Sequence, residues 1–339
     1  MKTPIVYLFI IVMAFISCNT EVKQPKEIAL KNAKLIHEDA IFIAITQNYI
    51  VFGDHAQNAE YSFKIYGRKS NEWIGNGIKL GAAPDELEQV FSLKNCNEHD
   101  AVYIVNNDFS IYKISLNELL TNKPTELKPI DTMDVGICIP DLVAENKKGN
   151  LVYGMSGDSL FYSNKQSYVH KSEIIPNFEE IDKIFGEYHR KIYIGNKPGG
   201  EKYFAAPLHY DAFSIYDSDF TQIAYTLLDK DTKPANFSKP NTYDDVITNR
   251  RPYATSNYIY VPFLGTPHSK QSDYGPGIIV HPRLIRVFNW EAKLVAKIST
   301  DEMLMSIAMD EENKRLYFIN DIFELKYYDL EGITDFVWN

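Results

Sequence analysis

A chain of 339 residues, 45% hydrophobic and 24% charged, has the composition of an ordinary globular protein. Its formal net charge of -10, with no run of more than two Lys or Arg, lacks the basic footprint that nucleic acid requires, so nucleic acid is excluded as a partner. The three cysteines, Cys18, Cys96 and Cys138, form no Cys-x-x-Cys pair, which excludes a structural zinc site of that type.

The chain opens on Lys2 and an apolar run from Ile5 to Ile16. Twelve residues at about 1.5 Å each give roughly 18 Å of helix, too short for a bilayer core of about 30 Å, so the run reads as the core of a secretory signal. Phe15-Ile16-Ser17-Cys18 resembles a bacterial lipobox, with Phe where Leu is commoner. That resemblance implies cleavage before Cys18 and lipid on Cys18, giving a signal peptide at 1–17 and a polar tether at 18–26. The expected place is the cell envelope, on the periplasmic or outer-membrane face.

From residue 27 to 339 a strand signal centred on an aromatic residue recurs six times: Tyr49–Phe52, Val102–Val105, Leu151–Tyr153, Lys191–Ile194, Tyr258–Val261 and Leu316–Ile319. Before each lies an apolar segment (Ile41–Ile45, Val90–Leu93, Ile139–Ala144, Ile181–Phe185, Ile247–Ala254, Leu304–Met309). After each come one or two more strand-like segments, separated by turn residues such as Asp217-Ser218-Asp219. Four strands per repeat, six times, predict an all-β, six-bladed β-propeller with four-stranded antiparallel blades. The last repeat lacks a fourth strand. The segment Glu27–Ile36 is expected to supply it and close the ring, with Ile333–Trp338 as a rival. Asp85–Phe91 and Glu118–Leu120 read as single helical turns.

Leu80-Gly81-Ala82-Ala83-Pro84-Asp85-Glu86-Leu87 resembles the turn between blades of NHL-type propellers, with Ala83 in place of a Gly. Arg286–Val295 resembles the matching hairpin, with Ala292 where Gly is usual. With the lipobox, the chain is similar to TolB-like six-bladed propeller lipoproteins of the Bacteroidetes type. The resemblance implies fold and place, and no catalytic residues. Asp131-Thr132-Met133 and Asp158-Ser159-Leu160 also resemble the O-glycosylation triplet of that phylum.

Long connections are expected at about Gly195–Ala212, Asp229–Val246 and Pro262–Arg283, crowding one face of blades 4 and 5. These connections and the inner strand of blade 5 between them hold the candidate ligand-binding residues His209, Asp211, Arg250, Arg251, His268 and His281. Alternation along the inner strand should turn either Arg250 or Arg251 toward the central channel, where a guanidinium can fork to a carboxylate or phosphate. The competing reading pairs it with Asp244 or Asp245 as structural glue. His209, Asp211, His268 and His281 are also a candidate set for a divalent metal, against a reading as ordinary surface histidines. Asp54 and His55 are a further channel candidate. No Gly-x-Ser-x-Gly, Ser-x-x-Lys or His-Glu-x-x-His motif is present. The first functional reading is a binding or scaffold protein presenting that face to an envelope protein, peptide or glycan. The alternative is a metal-dependent hydrolase or lyase with its site in the central channel.

Overall fold

The structure, a computed structural model, describes residues 25–54, 56, 58–96, 99–122, 126–132, 142–154, 159–163, 166–170, 192–208, 211–228, 246–267, 280–331 and 333. It is all-β, a propeller-like arrangement of small sheets whose strands follow one another in the chain. Two N-terminal strands come first, β1 (Lys26–Leu30) and β2 (Lys34–His37). The first sheet is β3 (Ala40–Ile45), β4 (Tyr49–Asp54), β5 (Phe63–Gly67) and β6 (Trp73–Asn76). The second is β7 (Val90–Asn95), β8 (Ala101–Asn106), β9 (Ser110–Ser115) and β10 (Asp131–Thr132), with helix α1 (Leu116–Thr121) between its last two strands. The third is β11 (Leu142–Glu145), β12 (Leu151–Gly154), β13 (Ser159–Ser163) and β14 (Gln166–His170). The fourth is β15 (Ile192–Asn196), β16 (Lys202–Pro207), β17 (Ala212–Asp217) and β18 (Gln222–Leu227).

The fifth sheet is larger. It holds β19 (Val246–Asn249), β20 (Tyr253–Ala254), β21 (Tyr258–Pro267), β22 (Leu284–Asn289) and β23 (Leu294–Thr300), and β1 adds to β23 in parallel. The sixth is β24 (Ser306–Asp310), β25 (Arg315–Ile319) and β26 (Leu325–Asp329), and β2 adds to β26 antiparallel as its fourth strand. The edge strand expected from Glu27–Ile36 is thus two strands on two sheets. The rival segment lies outside the described residues except for Ile333.

Burial falls from the second strand of a sheet outward. Every residue of β8 is buried, whereas β18 alternates exposed and half-buried positions. A second strand has neighbours on both edges and packed sheets on both faces, so it tolerates only apolar and aromatic residues. The core is accordingly divided among the gaps between sheets. One cluster joins Val51 and Ile65 of the first sheet to Val102 and Ile104 of the second. Another joins Phe213 and Ile215 of the fourth to Ile259 and Phe288 of the fifth, with Phe213 and Phe288 stacked 4.6 Å apart.

Hairpins follow a common local rule. Asp217 Oδ1 accepts from the N–H of Asp219 and of Thr221, each at 2.9 Å, and Asn289 Oδ1 does the same for Glu291 and Lys293. The fourth residue of each turn then takes a left-handed conformation, Phe220 at φ 62° and Ala292 at φ 58°. Ala292 therefore stands where a glycine is conformationally cheaper.

The fourth repeat differs from the sequence expectation. Lys191–Ile194 was expected as a second strand, and β15, which covers most of it, is the first strand of its sheet. The expected long connection Gly195–Ala212 contains a whole strand, β16. Pro198-Gly199-Gly200 is a hairpin turn, with Gly199 and Gly200 at φ 93° and 67° and the Gly200 N–H bonded to Lys197 O at 2.9 Å. Gly195 makes room for the new strand: a Cβ there would lie 2.4 Å from the Phe204 ring. Ile181–Phe185, expected as the first strand, lies outside the described residues. In the fifth repeat β21 runs on to Pro267, so the connection expected from Pro262 starts later.

Candidate functional site

A cavity of about 830 Å³ lies between the sheets, lined by residues from all six. The first strands supply its wall, among them Ile43, Leu93, Val143, Tyr193, Tyr253 and Ile307. Its rim comes from the connections between first and second strands, including Thr46, His99, Pro198, Asn257, Glu311 and Lys314. In antiparallel sheets these connections lie at the end opposite to those joining second to third strands. The rim of the cavity is therefore at the other end from the connections that join β16 to β17 and β21 to β22, while Gly195, Asn196 and Pro198, from the start of the expected Gly195–Ala212 connection, line the cavity itself.

Three groups hold the rim in shape. Arg68, in the hairpin between β5 and β6, bonds both oxygens of Asp310 in the sixth sheet, with Nε to Oδ2 at 2.7 Å and Nη2 to Oδ1. It also reaches Glu312 at 3.1 Å and donates to the carbonyl of Gln47 at 3.1 Å. Burial pushes the Asp310 carboxyl up, but Arg68 and the amides of Asn313 outweigh this and hold it below the usual carboxylate range. Glu311 accepts from Asn257 Nδ2 at 2.8 Å, from Tyr260 OH at 2.9 Å and from Thr255 Oγ1. Tyr253 accepts a hydrogen bond from Asn95 Nδ2 at 3.0 Å, and burial pushes its phenol up to about 12, so its own proton stays in place to be donated.

The candidate residues from the sequence fall in different places. Arg251 lines the cavity, at the break between β19 and β20 that Pro252 enforces by lacking an N–H. Arg250 points elsewhere: its Nη2 donates to Val280 O at 3.4 Å, and its Nε is buried with no partner among the described residues. Asp211 is buried and ion-paired with Arg286, whose guanidinium sits 3.3 Å from the centre of the Phe263 ring. That ion pair joins Asp211, just before β17 of the fourth sheet, to β22 of the fifth sheet. His281 is half-buried beside Arg250. Burial and the Arg250 charge lower its pKa, against an opposing pull from Asp321. Cys18, His55, Cys138, His209, Asp244, Asp245 and His268 lie outside the described residues. Asp54 pairs with Lys64 at 3.0 Å, and Cys96 is a free thiol on the cavity wall. Among the described residues no group of three or more His, Cys, Asp or Glu is placed to hold a metal.

Sequence reasoning missed Arg68, Asn95, Tyr253 and Glu311. Their partners are far away in the chain, as Arg68 and Asp310 illustrate, so no local spacing marks them. The available signal was positional: each sits in or beside a turn flanking a recurrent apolar strand.

No protein-family profile matches the chain, and no curated protein matches it. The fold has many relatives among solved structures, with 1174 chains matching, so it does not by itself specify an activity. A Bacteroides fragilis NCTC 9343 protein described as exported matches at a TM-score of 0.51 and 10% identity, over 89% of this chain and 99% of its own. A chain of a mitotic checkpoint complex matches at a TM-score of 0.45 and 8% identity, over 86% of this chain and 77% of its own. At these identities the likeness is one of fold alone.

Proposed function

We propose that the chain is a six-bladed, TolB-like propeller lipoprotein of the cell envelope that binds a ligand in its central channel. The ring reading is supported by contacts between neighbouring first strands, which run from β20 to β24, β3, β7, β11, β15 and back to β20. It is supported further by β2 on the sixth sheet and by a cluster joining Ala308 and Tyr317 of that sheet to Ile50 and Phe52 of the first. The envelope reading rests on the lipobox ending at Cys18, and the exported protein of like fold is consistent with it. The observation that carries the binding reading is the cavity, whose size is that of a small-molecule site and whose rim is braced by hydrogen bonds between sheets. The end of the fifth sheet where His281 lies, between β21 and β22, is a second surface for an envelope protein, peptide or glycan.

Two measurements test this. Cys18→Ala is expected to move the protein from the membrane fraction to the soluble fraction; retention in the membrane sinks the anchor. Thermal unfolding of the full-length protein against a panel of small carboxylates, amino acids and monosaccharides is expected to give a saturable rise for at least one class. Ser306→Trp, which fills the channel, should abolish that rise. If no class raises the midpoint, or the Trp variant responds equally, the channel is not the site.

A further inference from the structure

We infer that Phe42 closes the inner end of the cavity and sets how long an apolar ligand it takes, with a second, smaller cavity behind the ring; this rests on the ligand-binding reading above. Among the described residues the two cavities share one lining residue, Phe42. The second, of about 170 Å³, is lined on its apolar side by Ile41, Leu80 and Val90. The two lie toward opposite ends of the first sheet. The larger is lined by Thr46 and Gln47, in the connection from β3 to β4. The smaller is lined by Asp54, at the end of β4, and Ser62, just before β5. Phe42 stands between them, near the start of β3.

The backbone at Phe42 is unusual for its place. Among the described residues ten other than glycine have a positive φ, and Phe42, at 51°, is the one that lies inside a strand. It is the extra residue of a bulge: Ile41 faces Gly53 and Ile43 faces Phe52 across the β3–β4 pair, with Phe42 unpaired between them. Bulges re-aim side chains, and a left-handed bulge position is one that glycine fills at least cost. Here the glycine is opposite. A Cβ on Gly53 would lie 2.8 Å from the carbonyl oxygen of Ile41 and 3.3 Å from Cδ2 of Phe42, so Gly53 makes room for the bulge and its ring. A bulky aromatic at a left-handed position is strained, and such strain persists where the surroundings hold it and a function uses it. The use follows from the lining: a glycine at 42 would remove the side chain that separates the two cavities. Ile43 and Leu93 on one side, and Ile41, Leu80 and Val90 on the other, are apolar, so the part of a ligand that meets the ring is hydrocarbon.

The test is calorimetry on the full-length protein with n-alkyl β-D-glucosides, from methyl to octyl, kept below micelle formation. Each methylene that enters the cavity is expected to tighten binding about fourfold. In the parent protein the gain should stop at the chain length that reaches Phe42. In Phe42→Ala it should continue for two or more further methylenes. Phe42→Asn, whose small side chain tolerates the left-handed region, should behave the same way. Phe323→Ala, which removes a left-handed phenylalanine that lines neither cavity, should keep the parent limit. A limit equal in parent and Phe42 variants, or no limit in the parent, overturns the inference and leaves the ligand-binding reading standing. Binding of no glucoside to any of them counts against both. A second readout needs no ligand. Phe42→Gly is expected to resist urea at least as well as Phe42→Ala, the reverse of the order in an ordinary strand interior. Phe42→Ala clearly the more stable of the two would overturn the strained geometry, and the inference with it.

Discussion

Gly200 shows how much a single residue can decide. Its φ of 67° is left-handed, and a Cβ there would lie 2.5 Å from the carbonyl oxygen of Glu145, on the neighbouring third sheet. Gly199, at φ 93°, has nothing within 4 Å of its Cβ position. Gly200→Ala is therefore expected to cost about 2–3 kcal/mol or more, since a backbone oxygen cannot step aside and the conformational cost adds to the clash. Gly199→Ala should cost only the conformational part, about 1 kcal/mol. Urea denaturation of the two variants side by side checks the difference, and equal losses would show that the sheet contact is not tight. The same pair explains a misreading. Pro-Gly-Gly is a loop signal in sequence, and only the close approach between sheets reveals it as a turn that lets β16 return.

Among the elements, β2 carries a titratable group into a seam. His37 Nε2 lies 3.0 Å from Lys64 Nζ, and Nδ1 lies 3.4 Å from Tyr66 OH, both on the first sheet, while β2 itself pairs with the sixth. The ring packs on Phe52 at 5.0 Å. Burial and then Lys64 lower the His37 pKa below 6.5, outweighing the opposite pull of Asp54, Asp39 and Glu38. With the folded value depressed, the unfolded chain binds more protons as pH falls below about 6.5, so stability declines through that window and levels off below the folded value. His281 acts in the same sense. His37→Gln is expected to flatten denaturation midpoints between pH 7.5 and 5.5 relative to the parent chain, and an unchanged slope would remove His37 from the account. How much the sequence revealed also depends on the element. Second strands such as β4, β8 and β25 were legible because double-sided burial leaves a dense apolar and aromatic run. The cavity was not, because each first strand contributes only a few residues between Phe42 and Lys314 and no segment carries the pattern alone. Alternation is a local feature, so the sequence could point to one of Arg250 and Arg251 without choosing between them, whereas the Arg68–Asp310 bridge depends on two sheets meeting.

For the molecule as a whole, the N-terminal strands cover two edges at once. Ile28 and Leu30 of β1 are buried in the core between the fifth and sixth sheets, and burying two such side chains is worth roughly 3–6 kcal/mol. Removing residues 25–37 is expected to lower the thermal midpoint by roughly 10 °C, at about 2–4 °C per kcal/mol for a large domain, and to promote association through the exposed edges. A peptide of residues 25–37 added in trans should restore part of the midpoint, and a truncated protein as stable as the parent would show that the edges need no cover. The pairing of Lys26 with Ala296, and of Lys34 with Tyr327, also sets an order in time. These strands leave the ribosome well before their partners, which follow roughly 15–55 s later at ~5–20 residues per second. Until then β1 and β2 have no partners to pair with, and the apolar side chains of Ile28 and Leu30 stay unburied while the intervening sheets are made.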